Sequence, residues 1–144
     1  MMRKINASSL TPVKDISVPK SGWIATVRKA LGMSGAELGR RIGLQRGRIS
    51  QVEKAESDGG VTIKTMEKMA EGLGCRFVYA IVPEDGEIET IIREQAQKKA
   101  KQTVERAATH MALEQQSIGL QRNLDEIEKL TEELTRSQPP GFWD

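Results

Sequence analysis

The sequence predicts a mainly α-helical fold with one short β-strand. A helical domain spans residues 21–74, the strand lies within 75–83, and a C-terminal helical region covers 85–136 as a hairpin. Three observations carry this expectation. Apolar residues recur at intervals of three and four through most of the chain, as they do on one face of a helix. Gly32, Gly43 and Gly74 follow the ends of such stretches, where a helix closing in a left-handed turn favours a residue without a Cβ. Only CRFVYAIV, residues 75–82, abandons the helical rhythm for β-branched and aromatic residues, and it stops at Pro83.

Residues 1–20 read as an arm. Pro12 and Pro19 break any long helix, Ile5, Leu10, Val13, Ile16 and Val18 are scattered apolar anchors, and Arg3, Lys4, Lys14 and Lys20 supply positive charge. The arm either follows a phosphate backbone or packs against protein. Ser21 is expected to cap the helix GWIATVRKALG, with Ile24, Val27 and Leu31 inward.

Next comes SGAELGRRIGLQRGRISQVEK, residues 34–54, which reads as two short helices joined by a tight turn. Ser34 stands as N-cap, Leu38 and Ile42 share a face, and Gly43 closes the first helix. Gln45 opens the second, where Ile49 and Val52 continue the apolar stripe while Arg46, Arg48, Ser50 and Gln51 point elsewhere. Gly39 in mid-helix costs about 1 kcal/mol relative to Ala, and the expected compensation is close approach of the second helix. This is the helix-turn-helix arrangement, whose second helix enters the DNA major groove. Thr62 then caps IKTMEKMAEGLG, with Ile63, Met66, Met69, Ala70 and Leu73 inward.

A lone strand in a helical chain leaves backbone donors and acceptors without partners. Residues 75–82 therefore either pair with the same strand of a second subunit about a two-fold axis, or form a buried irregular segment. Beyond Asp85 a narrow stripe runs through Ile88, Ile92, Ala96, Ala100, Val104, Ala107 and Met111, and a second through Leu120, Leu124, Ile127, Leu130 and Leu134. Ser117 and Gly119 are expected to interrupt them, giving the αα-hairpin. In the tail, residues 137–144, Phe142 and Trp143 are expected to dock rather than trail free.

The charge is unevenly spread. Residues 1–54 hold eleven Lys/Arg against three Asp/Glu, a net of +8, and residues 55–144 hold eleven against seventeen, a net of −6. The total of +2 thus hides a strongly basic N-terminal third, the electrostatic footprint of a phosphate-binding surface. One cysteine, Cys75, and one histidine, His110, exclude an intramolecular disulfide, the usual zinc sites and Cys/His catalytic pairs. His110 reads as a surface or packing residue. No glycine-rich phosphate loop follows a strand, so an enzyme is not expected, and no cofactor is implied. No apolar run reaches the about 20 residues of a membrane span, and the N-terminus lacks a signal-peptide core. A cytoplasmic, nucleoid-associated protein is the expectation.

Through RKALGMS, AELGRRIGL, RISQVEK and TIKTMEKMAEGLG, residues 22–74 resemble the Xre/Cro-type helix-turn-helix domains of phage repressors and bacterial regulators. GWIATVRKALGMS, ESDGGVTIKTMEKMAEGLGCRFVYAIVP, MALEQQ and the terminal FWD together resemble the mobile mystery protein A family, which accompanies a Fic-domain protein in an antitoxin–toxin-like pair. The resemblance implies that Gln45 and Arg48 hold phosphate or cap the recognition helix. Arg46, Gly47 and Gln51 would contact bases, with Ser50 beside them, and Arg28 and Glu53 would form an internal salt bridge. Gly35 stands where such domains usually carry a phosphate-gripping Gln, leaving the backbone N–H groups of that helix end for the task. Partner proteins that inhibit Fic enzymes often use a Ser/Thr-x-x-x-Glu-Gly/Asn helix. Thr90-Ile-Ile-Arg-Glu94-Gln95 comes nearest here, with Gln95 departing from the pattern.

Two expectations follow. One is a homodimeric, sequence-specific regulator that binds double-stranded operator DNA and acts as the antitoxin of a Fic-type module, repressing its own operon. The other is an interaction protein that silences a Fic-domain enzyme through residues 85–144, Glu94 included, with DNA binding secondary.

Overall fold

The computed structural model describes residues 14–110 and 116–144. Among them are six helices: α1 Trp23–Ala30, α2 Gly35–Ile42, α3 Arg46–Ser57, α4 Ile63–Gly72, α5 Ile88–His110 and α6 Gln116–Ser137. They fall into two compact units that meet in sequence at Ile81 and Val82.

The first unit holds α1–α4 around one apolar core. Ile24, Leu38, Ile49, Val52, Met66, Met69 and Leu73 are buried, and Val27, Met33, Ile42, Leu44, Val61 and Phe77 pack against them. Ile24, Val27, Leu38, Ile42, Ile49, Val52, Met66 and Met69 come from the periodic stripes of their helices. Leu73 caps α4, and Met33, Leu44, Val61 and Phe77 come from the connecting segments, so burial of the stripes and of these connections holds the domain together. Three expected members lie outside it: Ala70 is half-buried, Leu31 is 54% exposed and Ile63 48%. Leu31 is the C-cap of α1 and Ile63 the first residue of α4, so these two sit at helix ends where the stripe has left the core.

The helix ends mostly follow local rules. Ser34 Oγ accepts from the Glu37 N–H, and the Glu37 carboxylate accepts from the Ser34 N–H, a complete capping box on α2. Thr62 Oγ1 accepts from the Thr65 N–H on α4. Ser21 does not cap α1. Gly22 occupies the N-cap with φ +80°, and the donors are met from across the domain by Glu56. Ile16 and Val18 of the arm are exposed rather than anchored, while Ile5, Leu10 and Val13 lie outside the described residues.

Residues 75–82 form no strand within the chain. A strand needs a ladder partner, and among the described residues no second extended segment offers one. The run leaves α4 by a Cys75 N–H bond to the Ala70 carbonyl, then Phe77 packs on the core and stacks with Tyr79 at 5.8 Å. Val78, Tyr79 and Ile81 are exposed, Ile81 at 95%.

The second unit is the helical pair α5 and α6. Ala96, Ala100 and Val104 are buried, the small side chains letting the helices approach. Ser117 and Gly119 do not interrupt the pattern: they lie in the first turn of α6, which begins at Gln116. Ala107 is exposed, and Met111 lies outside the described residues. On α6 the inward face carries Ile127, Leu130, Thr131 and Leu134, whereas Leu120 and Leu124 are 63% and 52% exposed. Thr131 can be fully buried because its hydroxyl donates to the Ile127 carbonyl one turn earlier, at 2.6 Å. Phe142 docks, with Gln95 Nε2 donating to its carbonyl at 2.6 Å, but Trp143 stays 58% exposed against the edge of the Phe142 ring.

Candidate nucleic-acid interface

The turn between α2 and α3 sets the direction of the second helix. Gly43 adopts φ +72°, and the Leu44 N–H bonds back to the Gly39 carbonyl at 2.8 Å. A Cβ on Gly39 would lie 2.3 Å from the Leu44 carbonyl oxygen. The close approach implied by this glycine is therefore to the turn, and not to the body of α3. Packing of α4 on α2 is similarly tight, with a Cβ on Gly72 falling 2.5 Å from Ile42 Cγ2. Arg41 ties the same two helices, its Nε donating to the Gly72 carbonyl at 2.7 Å.

With Ile49 and Val52 buried, the first turns of α3 present their polar residues outward. Gln45, Arg46, Gly47, Arg48, Ser50 and Gln51 are all exposed. Gln45 is the N-cap in extended conformation without a side-chain cap bond, and no acidic residue lies in the first turn of α3. Nothing stands within 4 Å of a Cβ on Gly47, so this glycine leaves an open place on the surface rather than a packing contact. Arg48 donates to Gln51 Oε1 at 3.4 Å, a long bond between two exposed side chains. Among the described residues it is the one side-chain hydrogen bond made by residues 45–51.

The start of α2 is less open to phosphate than expected. Its first turn holds the Glu37 carboxylate, which two hydrogen bonds from Ser34, that of the backbone N–H first, hold below the usual carboxylate range. A negative charge at that helix end opposes a phosphate. Gly35 does leave space, for a Cβ there would meet Arg46 Cγ and Ile49 Cγ2 only at ordinary contact distance, 3.8 Å.

The back of α3 is held by an ion pair. Arg28 Nε and Nη2 donate to Glu53 Oε1 and Oε2 at 2.6 and 3.1 Å, and Nη1 donates to the Met33 carbonyl at 2.8 Å. Both side chains are about 15% exposed, and the Glu53 hydrogen bond raises the Arg28 pKa further above its ordinary value. Glu56 was missed in sequence, because its partners Trp23 and Ile24 are 33 and 32 residues away and no local pattern announces them.

In the second unit, Glu94 is exposed on α5. Gln95, the departure from the inhibitory pattern, is occupied by its bond to Phe142. The described residues contain no cluster of His, Cys, Asp and Glu able to hold a metal ion, and no described helix is long and apolar enough to cross a membrane.

Comparison with known families matches residues 24–79 to the Helix-turn-helix family model, from the second residue of α1 through α4 to Tyr79. This match supports a DNA-binding transcription regulator with an Xre-like helix-turn-helix domain. Neither the curated proteins nor the solved structures give a match to the chain.

Proposed function

We propose that the protein is a sequence-specific transcriptional repressor that binds operator DNA as a homodimer and serves as the antitoxin of a Fic-type module. The observation that carries the DNA-binding part is the division of α3. Ile49 and Val52 are buried, and the polar face of Gln45, Arg46, Gly47, Arg48, Ser50 and Gln51 is left entirely to solvent. Arg46 and Gln51 read base edges on this assignment, the first suited to guanine and the second to adenine, while Arg48 and Gln45 engage phosphate. The antitoxin role rests on the resemblance to mobile mystery protein A, and autorepression follows from it. The site of action is then the nucleoid.

The test is a salt-titrated gel shift on the DNA immediately upstream of the gene. Arg46→Ala and Gln51→Ala are each expected to flatten the preference among operator variants by about 1–3 kcal/mol. Arg48→Ala is expected to weaken all sequences alike and to lower the slope of log K against log salt by about 1. Unchanged preference in both of the first two variants refutes the base-reading assignment.

A second reading has the C-terminal helices silence the Fic-domain enzyme directly. It is favoured by the exposed Leu120 and Leu124 on α6 and by the net charge of −4 over residues 85–144, eight Lys/Arg against twelve Asp/Glu. Such a face suits a protein helix better than a phosphate backbone. Glu94, exposed on α5, is the residue of this region assigned to the partner contact. Both readings can hold in one chain.

A further inference from the structure

Glu56 lies seven residues after buried Ile49, two turns further along α3, and so faces the domain rather than solvent. Its Oε1 accepts from the Trp23 N–H at 2.6 Å and its Oε2 from the Ile24 N–H at 3.0 Å. A carboxylate thus closes the N-terminus of α1, where both the hydrogen bonds and the helix dipole favour a negative charge. Gly22 completes the fit: its φ is +80°, and a Cβ there would fall 2.7 Å from the Glu56 carboxyl carbon. Beside it, Ser57 Oγ donates to the Lys20 carbonyl at 3.2 Å. One turn earlier, Glu53 holds Arg28 of α1. The C-terminal half of α3 is therefore joined to α1 at two levels, while its N-terminal half is held in the core by Ile49 and lies against α2.

We propose that Glu56 is a positioning residue for base readout, setting the angle at which α3 presents Arg46 and Gln51 by holding the far end of that helix to α1. The proposal rests on the assignment of base reading to α3. Its physical basis is leverage. Arg46 and Glu56 are ten residues apart, about 15 Å along the helix, so a tilt of about 4° about one end moves the other by about 1 Å. A base hydrogen bond tolerates only a few tenths of an ångström around 2.7–3.2 Å, roughly the whole range it has. Phosphate contacts from long, flexible side chains follow such a movement. Loss of the Glu56 contact therefore acts on discrimination before it acts on non-specific affinity.

The experiment uses the full chain. A preferred duplex is selected by the wild type from a random pool. Affinities for that duplex and for its scrambled counterpart are then measured for wild type, Glu56→Gln, Glu56→Ala and Gly22→Ala, below the melting transition of each. Amide exchange at Trp23 and Ile24 is followed in parallel. In Glu56→Ala the preference ratio is expected to fall about ten-fold, with scrambled-duplex affinity within about two-fold of wild type. Glu56→Gln, which keeps one acceptor and the side-chain shape, is expected to fall between, and Gly22→Ala to reproduce the loss from the other side of the contact. Faster exchange at Trp23 and Ile24 with the preference ratio intact would show that Glu56 is a cap and nothing more, overturning the proposal. A parallel fall in both affinities would overturn it as well. A wild-type chain that prefers no duplex refutes base reading itself, an outcome separate from the other two.

Discussion

A single methyl group decides the geometry of the α2–α3 turn. Ala is favoured over Gly in a helix by about 1 kcal/mol, so Gly39→Ala would stabilise an unconstrained helix. Here the new Cβ would meet the Leu44 carbonyl oxygen at 2.3 Å, and backbone rather than a flexible side chain has to yield. Overpacking of this kind costs about 1–3 kcal/mol or more, so the variant is expected to be less stable in urea unfolding. A midpoint at or above wild type would contradict the close approach. The glycine is conspicuous in the sequence because it stands in mid-helix, but its cost names no neighbour, and the second helix was the wrong one. Glu37 offers a test in pH. Its folded carboxyl titrates below its unfolded value because the Ser34 N–H and hydroxyl favour the charged form. The capping box therefore contributes stability fully above that unfolded value and loses it as pH falls through the lower, folded one. Glu37→Gln is expected to shallow the acid side of the stability profile while leaving its neutral shape unchanged. An acid limb as steep as that of the wild type would speak against the box.

At the level of elements, the four helices of the first unit were legible because each buries a stripe whose period the sequence repeats. What periodicity could not supply was which turns of a stripe reach a neighbour. Leu120 and Leu124 share the spacing of Ile127 and Leu134, yet they remain exposed, while Thr131 takes an inward place that its polarity disguised. The cap of α1 failed for a related reason: Ser21 satisfied the local rule, but a carboxylate from α3 supplied two acceptors where a hydroxyl offers one group. The run 75–82 bears most directly on assembly. Val78 and Ile81 are exposed at 69% and 95%, and among the described residues no backbone hydrogen bond ties Val78 to the chain. An apolar, β-branched run without a ladder is what pairing with a second copy would use. Val78→Pro is expected to leave the monomer's fold largely intact, because no backbone hydrogen bond among the described residues uses that N–H. It should remove a donor from any intersubunit ladder. Sedimentation should then show a monomer, and operator affinity should fall steeply, since two half-sites are no longer engaged together. A wild-type chain that stays monomeric at high concentration while binding DNA in full would rule out the paired strand.

Across the whole molecule, chemistry is divided between units with separate interiors. The first has its core of Ile24, Leu38, Ile49, Val52, Met66, Met69 and Leu73, and the second buries Ala96, Ala100, Val104, Thr131 and Phe142. The basic residues of α2 and α3 belong to the first unit, whereas residues 85–144 carry a net of −4, so only the first is suited to phosphate. Truncation after Pro83 keeps the four helices, the Arg28–Glu53 pair and the exposed run up to Ile81. It removes Glu94 together with the exposed Leu120 and Leu124. Because each core is built from its own helices, the truncated chain is expected to fold and to bind the upstream DNA measurably in a gel shift. If a Fic-domain protein is the partner, as proposed, and the second unit carries the site, the same truncation abolishes co-purification with it. Full-strength recovery of that protein by the truncated chain would assign the partner surface to the helix-turn-helix unit and leave the α5–α6 hairpin with a scaffolding role. Retained recovery by full-length Glu94→Ala, alongside loss in a Leu120→Asp/Leu124→Asp chain, would place the contact on the apolar face of α6 rather than on the carboxylate of α5.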